Sequence, residues 1–390
     1  MIYAILFWIL VFSLLFLIAT SIVLIRNRFE LTAIKSQSFE NDNEPKISVC
    51  IPARNEENNI GSLLKSLFNQ KYSNYDIHVL DDQSTDQTTH IVQSFLNDFP
   101  HLKLHKGAEK PPDWLGKPWA CHQLSELSDG EYLLFLDADT IAEPSLIENT
   151  AAAFNKHRVQ MVTVWPRQIV LTFWEKSVIP LIYYALVTLL PSIYTYRDPR
   201  WMPNFLSPFF KSAFAAACGQ CIAFDRRAYQ MIGGHQSVKE KVVEDVELAK
   251  QVKKCGFRMR MFHGVGAISC RMYSNENEMF AGFRKNFFAG FNRSITLFIS
   301  AAVLHLTVFI LPFIALIYSL IILNQVLFFL SIASISLVLL HRLILSAWFE
   351  WDPLYGFTHP IAIIWFQRLG VVSLIDHWVG KKSSWKGRKV

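Results

Sequence analysis

Residues 294–341 contain no Lys, Arg, Asp or Glu. So long an uncharged run belongs in a bilayer, and at about 1.5 Å per residue it can cross twice. Asn324-Gln325 is the polar pair inside it, which predicts a hairpin between spans at 294–323 and 326–346. A second uncharged run, residues 1–25, ends at Arg26 and Arg28. It lacks the basic leader and short apolar core of a secretory signal, so residues 1–26 read as an uncleaved transmembrane anchor. Residues 360–378 are apolar but broken by Gln367, Arg368 and Asp376. Within 355–390 this favours an interfacial helix over a third C-terminal membrane segment, followed by a basic tail.

The chain is 52% hydrophobic with a net charge of +6, and its cations gather beside the apolar runs. Arg26, Arg28, Arg284, Lys285, Arg293 and the tail Lys381, Lys382, Lys386, Arg388 and Lys389 follow this pattern. Basic residues near spans prefer the cytoplasmic side, which predicts a multi-pass protein of the cell membrane with its large middle domain in the cytoplasm. The tail suits anionic headgroups. No separate basic stripe exists, so nucleic acid is not an expected partner. Of the six cysteines, Cys218 and Cys221 form a lone C-x-x-C without a second ligand pair, and all six read as reduced packing residues.

Between the anchor and the later spans, residues 27–45 read as a polar linker and 46–292 as one folded domain. Glu131-Tyr-Leu-Leu-Phe-Leu-Asp-Ala-Asp139 sets its character: an apolar run leading into two carboxylates one residue apart. Such a run reads as a strand covered on both faces, and function in parallel sheets gathers at the carboxyl ends of strands. Two acids there can hold a hard divalent cation; alternatively, one caps the following helix. Residues 46–52, 75–80, 101–105, 160–165 and 221–224 predict further strands, the third near an edge. Helices are expected over 57–70, 119–127 and 242–255, and after Asp81-Asp-Gln-Ser-Thr-Asp86 with Ser84 or Thr85 as cap. The alternation predicts an α/β domain with a mostly parallel sheet. Residues 178–196, apolar but holding Pro180 and Pro191, and residues 209–217 predict elements lying on the membrane. Aromatic residues Tyr183, Tyr184, Tyr194, Trp201, Phe205, Phe209 and Phe210 suit such docking.

Asp81/Asp82, Asp137/Asp139 and Glu244/Asp245, together with Ile51-Pro-Ala-Arg-Asn-Glu-Glu57, resemble in order and spacing the nucleotide-sugar-dependent glycosyltransferases of family 2. The resemblance covers roughly residues 46–292 and implies the GT-A fold. Pro52 to Glu57, Gly116-Lys-Pro-Trp-Ala-Cys-His-Gln123, Gly233-Gly-His235, Arg271-Met-Tyr273 and Trp385-Lys-Gly-Arg388 are similar to membrane-anchored bacterial members of carotenoid pathways and hopanoid-associated relatives.

The resemblance implies an inverting transferase. Pro52, Ala53, Glu56 and Asp82 would bind the nucleotide, a carboxylate accepting from the imide N–H of uracil, which cytosine lacks. Asp139 would ligate Mg²⁺ or Mn²⁺ at the diphosphate, with Asp137 on the metal's water or on ribose. Lys117 either approaches phosphate or only opens its helix. Asp245, beside Glu244, corresponds to the catalytic base; the alternative is stabilisation of a helix N-terminus. The implied donor is a UDP-sugar and the implied acceptor a hydrophobic lipid such as a carotenoid acid, receiving a single glucose. A carboxylic acceptor is already an anion at neutral pH, and Asp245 would then position it.

Processive members carry Q-x-x-R-W before their later spans. Here residues 283–290 read Phe-Arg-Lys-Asn-Phe-Phe-Ala-Gly, without that Trp, so no polymer is expected. Arg284 or Lys285 either contacts diphosphate or serves as a basic flank. The rival readings are a polyprenyl-phosphate or diacylglycerol glycosyltransferase and a non-catalytic membrane scaffold of a lipid pathway. Intact acids in all three clusters weigh against the scaffold.

Overall fold

Apolar strands covered on both faces build the central sheet of the chain, seen here in a computed structural model. The structure describes residues 2–35, 44–199, 202–203, 205, 211–291, 293–380, 384–385 and 388–389. Strands β1 (Ile47–Ala53), β2 (Tyr75–Asp81), β3 (Leu102–Lys106) and β4 (Tyr132–Leu136) run parallel. After β5 (Thr140–Ala142) come β6 (Met161–Trp165), β7 (Arg167–Gln168), β8 (Cys221–Asp225), β9 (Met259–His263) and β10 (Ile268–Cys270). The order across the large sheet is β3-β2-β1-β4-β8-β6-β9, with β3 at an edge as its alternation predicts. β8 alone runs antiparallel to its neighbours. A small sheet, β5-β10-β7, sits beyond β4.

Helices α1 (Ile2–Glu30), α2 (Ile60–Phe68), α3 (Thr88–Phe95), α4 (Gly116–Leu127) and α5 (Leu146–His157) belong to the first half. They are followed by α6 (Phe173–Leu189), α7 (Ile193–Tyr196), α8 (Arg226–Met231), α9 (Glu244–Lys254) and α10 (Glu276–Gly290). The chain ends in α11 (Ile295–Phe309), α12 (Leu311–Ile321), α13 (Gln325–Phe349) and α14 (His359–Trp378). Ile60, Leu63, Leu64 and Leu67 recur at helical spacing, and α2 buries all four against one face of the sheet. The other face, with Cys50, Leu133 and Phe135, forms a core that continues through α4 and α6 into α1, α13 and α14. Sheet and membrane helices therefore share one apolar interior.

Among the described residues, four helical segments are long and apolar enough to cross a membrane: Tyr3–Glu30, Ile295–Ile321, Gln325–Phe349 and Pro353–Trp378. This is a membrane protein. Asn324 forms the expected turn, its side chain accepting from Leu327 N at 2.9 Å to cap α13. The fourth segment, over the stretch expected to be interfacial, is also long and apolar enough for a crossing. Its charges are matched by α10: Arg284 pairs with Asp376, and Arg368 lies 3.2 Å from Glu276. Arg284 is thus committed to Asp376 rather than to a diphosphate. The side chain of Lys285, and Lys381, Lys382 and Lys386, lie outside the described residues.

Three local expectations are corrected. Helix α6 is enclosed by protein rather than exposed along an apolar face: Val178, Ile179, Tyr183, Tyr184 and Val187 are buried, and the helix packs on α1, α13 and α14. It is apolar all round, which suits a helix enclosed by protein, and Thr172 with Glu175 forms its capping box. Phe205 is exposed, while Trp201, Phe209 and Phe210 lie outside the described residues. The cap of α3 is Gln87 rather than Ser84 or Thr85. The start of the linker is docked: Asn27 bonds the Val187 and Leu190 carbonyls at 2.9 and 2.7 Å, and Ala33 bridges to His263. Residues 36–43 lie outside the described residues.

Candidate functional site

The sheet order sets the carboxyl ends of β1, β2 and β4 side by side. After β1, Asn55 takes a left-handed φ of 53°, and its loop is stitched to the loop after β2. Ser84 Oγ accepts from Asn55 N at 3.0 Å and Asn55 Oδ1 accepts from Thr85 N at 2.8 Å. Thr88 Oγ1 accepts from Glu56 N at 2.7 Å, and Glu57 Oε2 from Gln87 N at 3.0 Å. Asp81 joins this scaffold by accepting from Ser84 N at 2.9 Å and Thr89 Oγ1 at 2.6 Å. Its neighbour Asp82 lines a cavity instead, and Arg54 holds the Asp82 carbonyl at 2.6 Å.

β4 ends at Leu136, so Asp137 and Asp139 emerge at the rim of the same cavity. A turn from the Asp137 carbonyl to Thr140 N, 3.2 Å, fixes both. Lys117, in the first turn of α4, reaches across with Nζ 2.6 Å from Asp137 Oδ1 and 3.3 Å from Glu244 Oε1. Burial alone would lower its pKa, but these two carboxylates outweigh that and hold it well above the ordinary value.

Glu244 and Asp245 open α9. Asp245 accepts from Gly219 N at 2.7 Å through Oδ2 and from Val246 N at 2.8 Å through Oδ1. Burial first, and the charge of Glu244 second, push its carboxyl up to about 7 against the opposing pull of Lys117. A carboxyl poised near neutrality can act as a proton acceptor.

Pro52, Ala53, Glu56, Asp82, Lys117, Asp137, Asp139, Glu244 and Asp245 all line this cavity, whose volume is about 1070 Å³. Trp165 at the end of β6, Ile182 on α6, Met272, Tyr273, and Phe283 on α10 add apolar surface to its lining. Sequence reasoning overlooked Gly219, which sits inside the C-x-x-C read as packing. A Cβ there would stand 3.2 Å from Lys117 Nζ and 3.3 Å from Asp245 Oδ2, so a side chain at this position would crowd both groups. Arg271 also lines the cavity, 3.3 Å from the fully buried Glu175; only its place in Arg271-Met-Tyr273 signalled it. All six cysteines are free.

Asp137 and Asp139, both lining the cavity, offer hard carboxylate oxygen donors. That donor set fits Mg²⁺ or Mn²⁺. Elsewhere, Asp76, His78 and Asp129 bring ligand atoms within 4.8 Å of one another at the amino end of β2. Lys46 and Lys103 each place Nζ 3.2 Å from Asp76 Oδ2. Burial would raise the Asp76 carboxyl, yet hydrogen bonds from His78 and Ser48 hold it well below the usual range. The protein's own cations balance this second cluster.

The signature of Glycosyl transferase family 2 matches residues 48–233, and that of Glycosyl transferase family 21 matches residues 202–390. A 4,4'-diaponeurosporenoate glycosyltransferase of Staphylococcus haemolyticus is 26% identical over 255 residues, covering 64% of this chain and 63% of the relative. A beta-monoglucosyldiacylglycerol synthase of Nostoc sp. is 31% identical over 122 residues, covering 31% of this chain and 26% of the relative. The chain therefore matches less than two thirds of the length of either. Among solved structures, mannosyltransferase PcManGT from Pyrobaculum calidifontis, in complex with GDP-Man and Mn²⁺, superposes with a TM-score of 0.56 at 17% identity. The match covers 97% of this chain and 100% of that one, a likeness of fold. With its mostly parallel sheet, its strand-end acids and its match to Glycosyl transferase family 2, the stretch 48–233 is a family-2 glycosyltransferase domain with the GT-A fold.

Proposed function

We propose that this glycosyltransferase is an inverting, divalent-metal-dependent enzyme that moves one sugar, glucose, from a UDP-sugar to a hydrophobic lipid acceptor. The observation that carries this reading is the make-up of the cavity. Its lining joins acids and Lys117 to apolar side chains from α6 and α10, helices packed against membrane segments. The relatives named for diaponeurosporenoate and for monoglucosyldiacylglycerol support a lipid-type acceptor, a carotenoid acid in the first reading and a diacylglycerol in the second.

In this reading Pro52, Ala53, Glu56 and Asp82 hold the nucleoside, with the Asp82 carboxylate accepting from the uracil imide. Asp139 and Asp137 are the ligands for Mg²⁺ or Mn²⁺, which when bound neutralises the diphosphate and stabilises the departing nucleoside diphosphate. Lys117 adds a fixed cation beside it. Gly219 N–H and Val246 N–H orient Asp245, which takes the proton of a hydroxyl acceptor as its oxygen attacks the anomeric carbon opposite the leaving group. A single displacement inverts the configuration. Toward a carboxylate acceptor Asp245 acts by position. Arg26 and Arg28, at the end of the first span, favour a cytoplasmic catalytic domain in a multi-pass protein of the cell membrane.

Titration of the full-length protein in detergent with UDP, CDP and GDP, each with Mg²⁺, tests the donor site. UDP should bind tightest and Asp82→Leu should weaken it; a preference for GDP or CDP would refute the uracil assignment.

A further inference from the structure

A second cavity, of about 690 Å³, lies between the last turn of α5, the α7 segment and the turn joining α9 to β9. Its walls gather five permanent cations, Lys156, Arg197, Lys253, Arg258 and Arg260, against one carboxylate, Asp198. Arg197, Arg258 and Arg260 form no ion pair among the described residues. Arg260 and Arg197 hold their guanidinium groups 4.4 and 5.3 Å from the centre of the Tyr196 ring. The Arg260 Nε is buried without a hydrogen-bond partner among the described residues. His157, on the same wall, is pushed down to about 4 by burial and by the Arg260 and Lys156 charges. Five cations outnumber the one lining carboxylate, Asp198, and such an excess of like charge creates a positive field that an anion relieves.

Position identifies the anion's source. The Tyr196 hydroxyl bonds Glu30, the last residue of α1, so the cavity adjoins the point where the first membrane segment ends. We propose that this cavity binds the phosphate headgroup of an anionic membrane lipid, at a site separate from the sugar-transfer cavity. Cations spread over three elements suit a phosphate with several oxygen acceptors, and guanidinium groups pair with phosphate through two parallel hydrogen bonds. A zwitterionic headgroup would bring its own cation into the same field and is disfavoured.

The test is native mass spectrometry of the full-length protein released from mixed micelles holding equal phosphatidylglycerol and phosphatidylcholine. Phosphatidylglycerol should be retained preferentially. R197Q/R258Q removes two exposed cations, and at about fivefold per cation near a membrane surface retention should weaken roughly 30-fold. Should that variant fail to fold, Lys156→Gln, exposed at the end of α5, carries the same test with about a fivefold loss. Equal retention of the two lipids, or unchanged phosphatidylglycerol retention in folded variants, overturns the proposal. Displacement of phosphatidylglycerol by millimolar inorganic phosphate would assign the site to a soluble anion and overturn the lipid assignment.

Discussion

Lys117 Nζ lies 2.6 Å from Asp137 Oδ1, so the acidic cluster holds its own positive charge. The same ammonium lies 3.3 Å from Glu244 and opposes the rise of the Asp245 pKa. Lys117→Met should therefore weaken donor binding by roughly 10-fold or more, the scale of a lost charge-assisted hydrogen bond. It should also move the half-point of the pH–rate profile to higher pH. An unchanged half-point in the variant would show that Lys117 does not tune Asp245.

Burial and the Glu244 charge push the Asp245 carboxyl up to about 7, so the rate on a hydroxyl acceptor should climb about tenfold per pH unit below that value and level off above it. Asp245→Asn should lower kcat by about 10²–10⁴-fold while leaving the UDP-sugar Kd nearly unchanged, with a smaller loss for a carboxylate acceptor. The effect on stability has the opposite sign. A carboxyl whose pKa is raised by folding holds its proton more tightly in the native state. Stability is then lost as pH rises from the unfolded pKa, about 3.9, toward 7. The Asn variant escapes that loss and should melt higher than the native protein above pH 7. A variant that melts lower at pH 8 would argue that Asp245 is stabilising rather than strained.

Asp139→Asn should abolish metal-supported turnover, because an amide cannot supply the charge of a ligating carboxylate. Excess EDTA should do the same to the native enzyme, with recovery on adding Mg²⁺ or Mn²⁺. Full activity in EDTA would rule out the metal.

How much of this was legible in the sequence depended on whether neighbours along the chain or across space decide a residue's role. Leu133, Leu134, Phe135 and Leu136 form a run that a strand covered on both faces accommodates, and the acids that follow mark its end. Local pattern therefore reached Asp137 and Asp139. For α6 it could not: a helix apolar all round serves equally on a membrane, in it or inside protein, and the choice rests with α1, α13 and α14. Ser84 and Thr85 have the chemistry of caps, but Asn55, distant in sequence, claims both. Gly219 has no side chain to signal anything; the β4–β8 pairing of the sheet brings its N–H to Asp245.

The proposed cytoplasmic placement of the catalytic domain has a native probe in Cys255, which is exposed just beyond α9. A membrane-impermeant maleimide should leave it unlabelled in intact cells and label it after lysis. Labelling from outside intact cells would reverse the topology.

The central claim is transfer of one sugar to a lipid. Membranes holding the full-length protein, incubated with labelled UDP-glucose and then extracted with organic solvent, test it most directly. The account predicts label in the organic phase on a species carrying a single hexose, lost in Asp139→Asn. Label in a water-soluble ladder of oligosaccharides would contradict it.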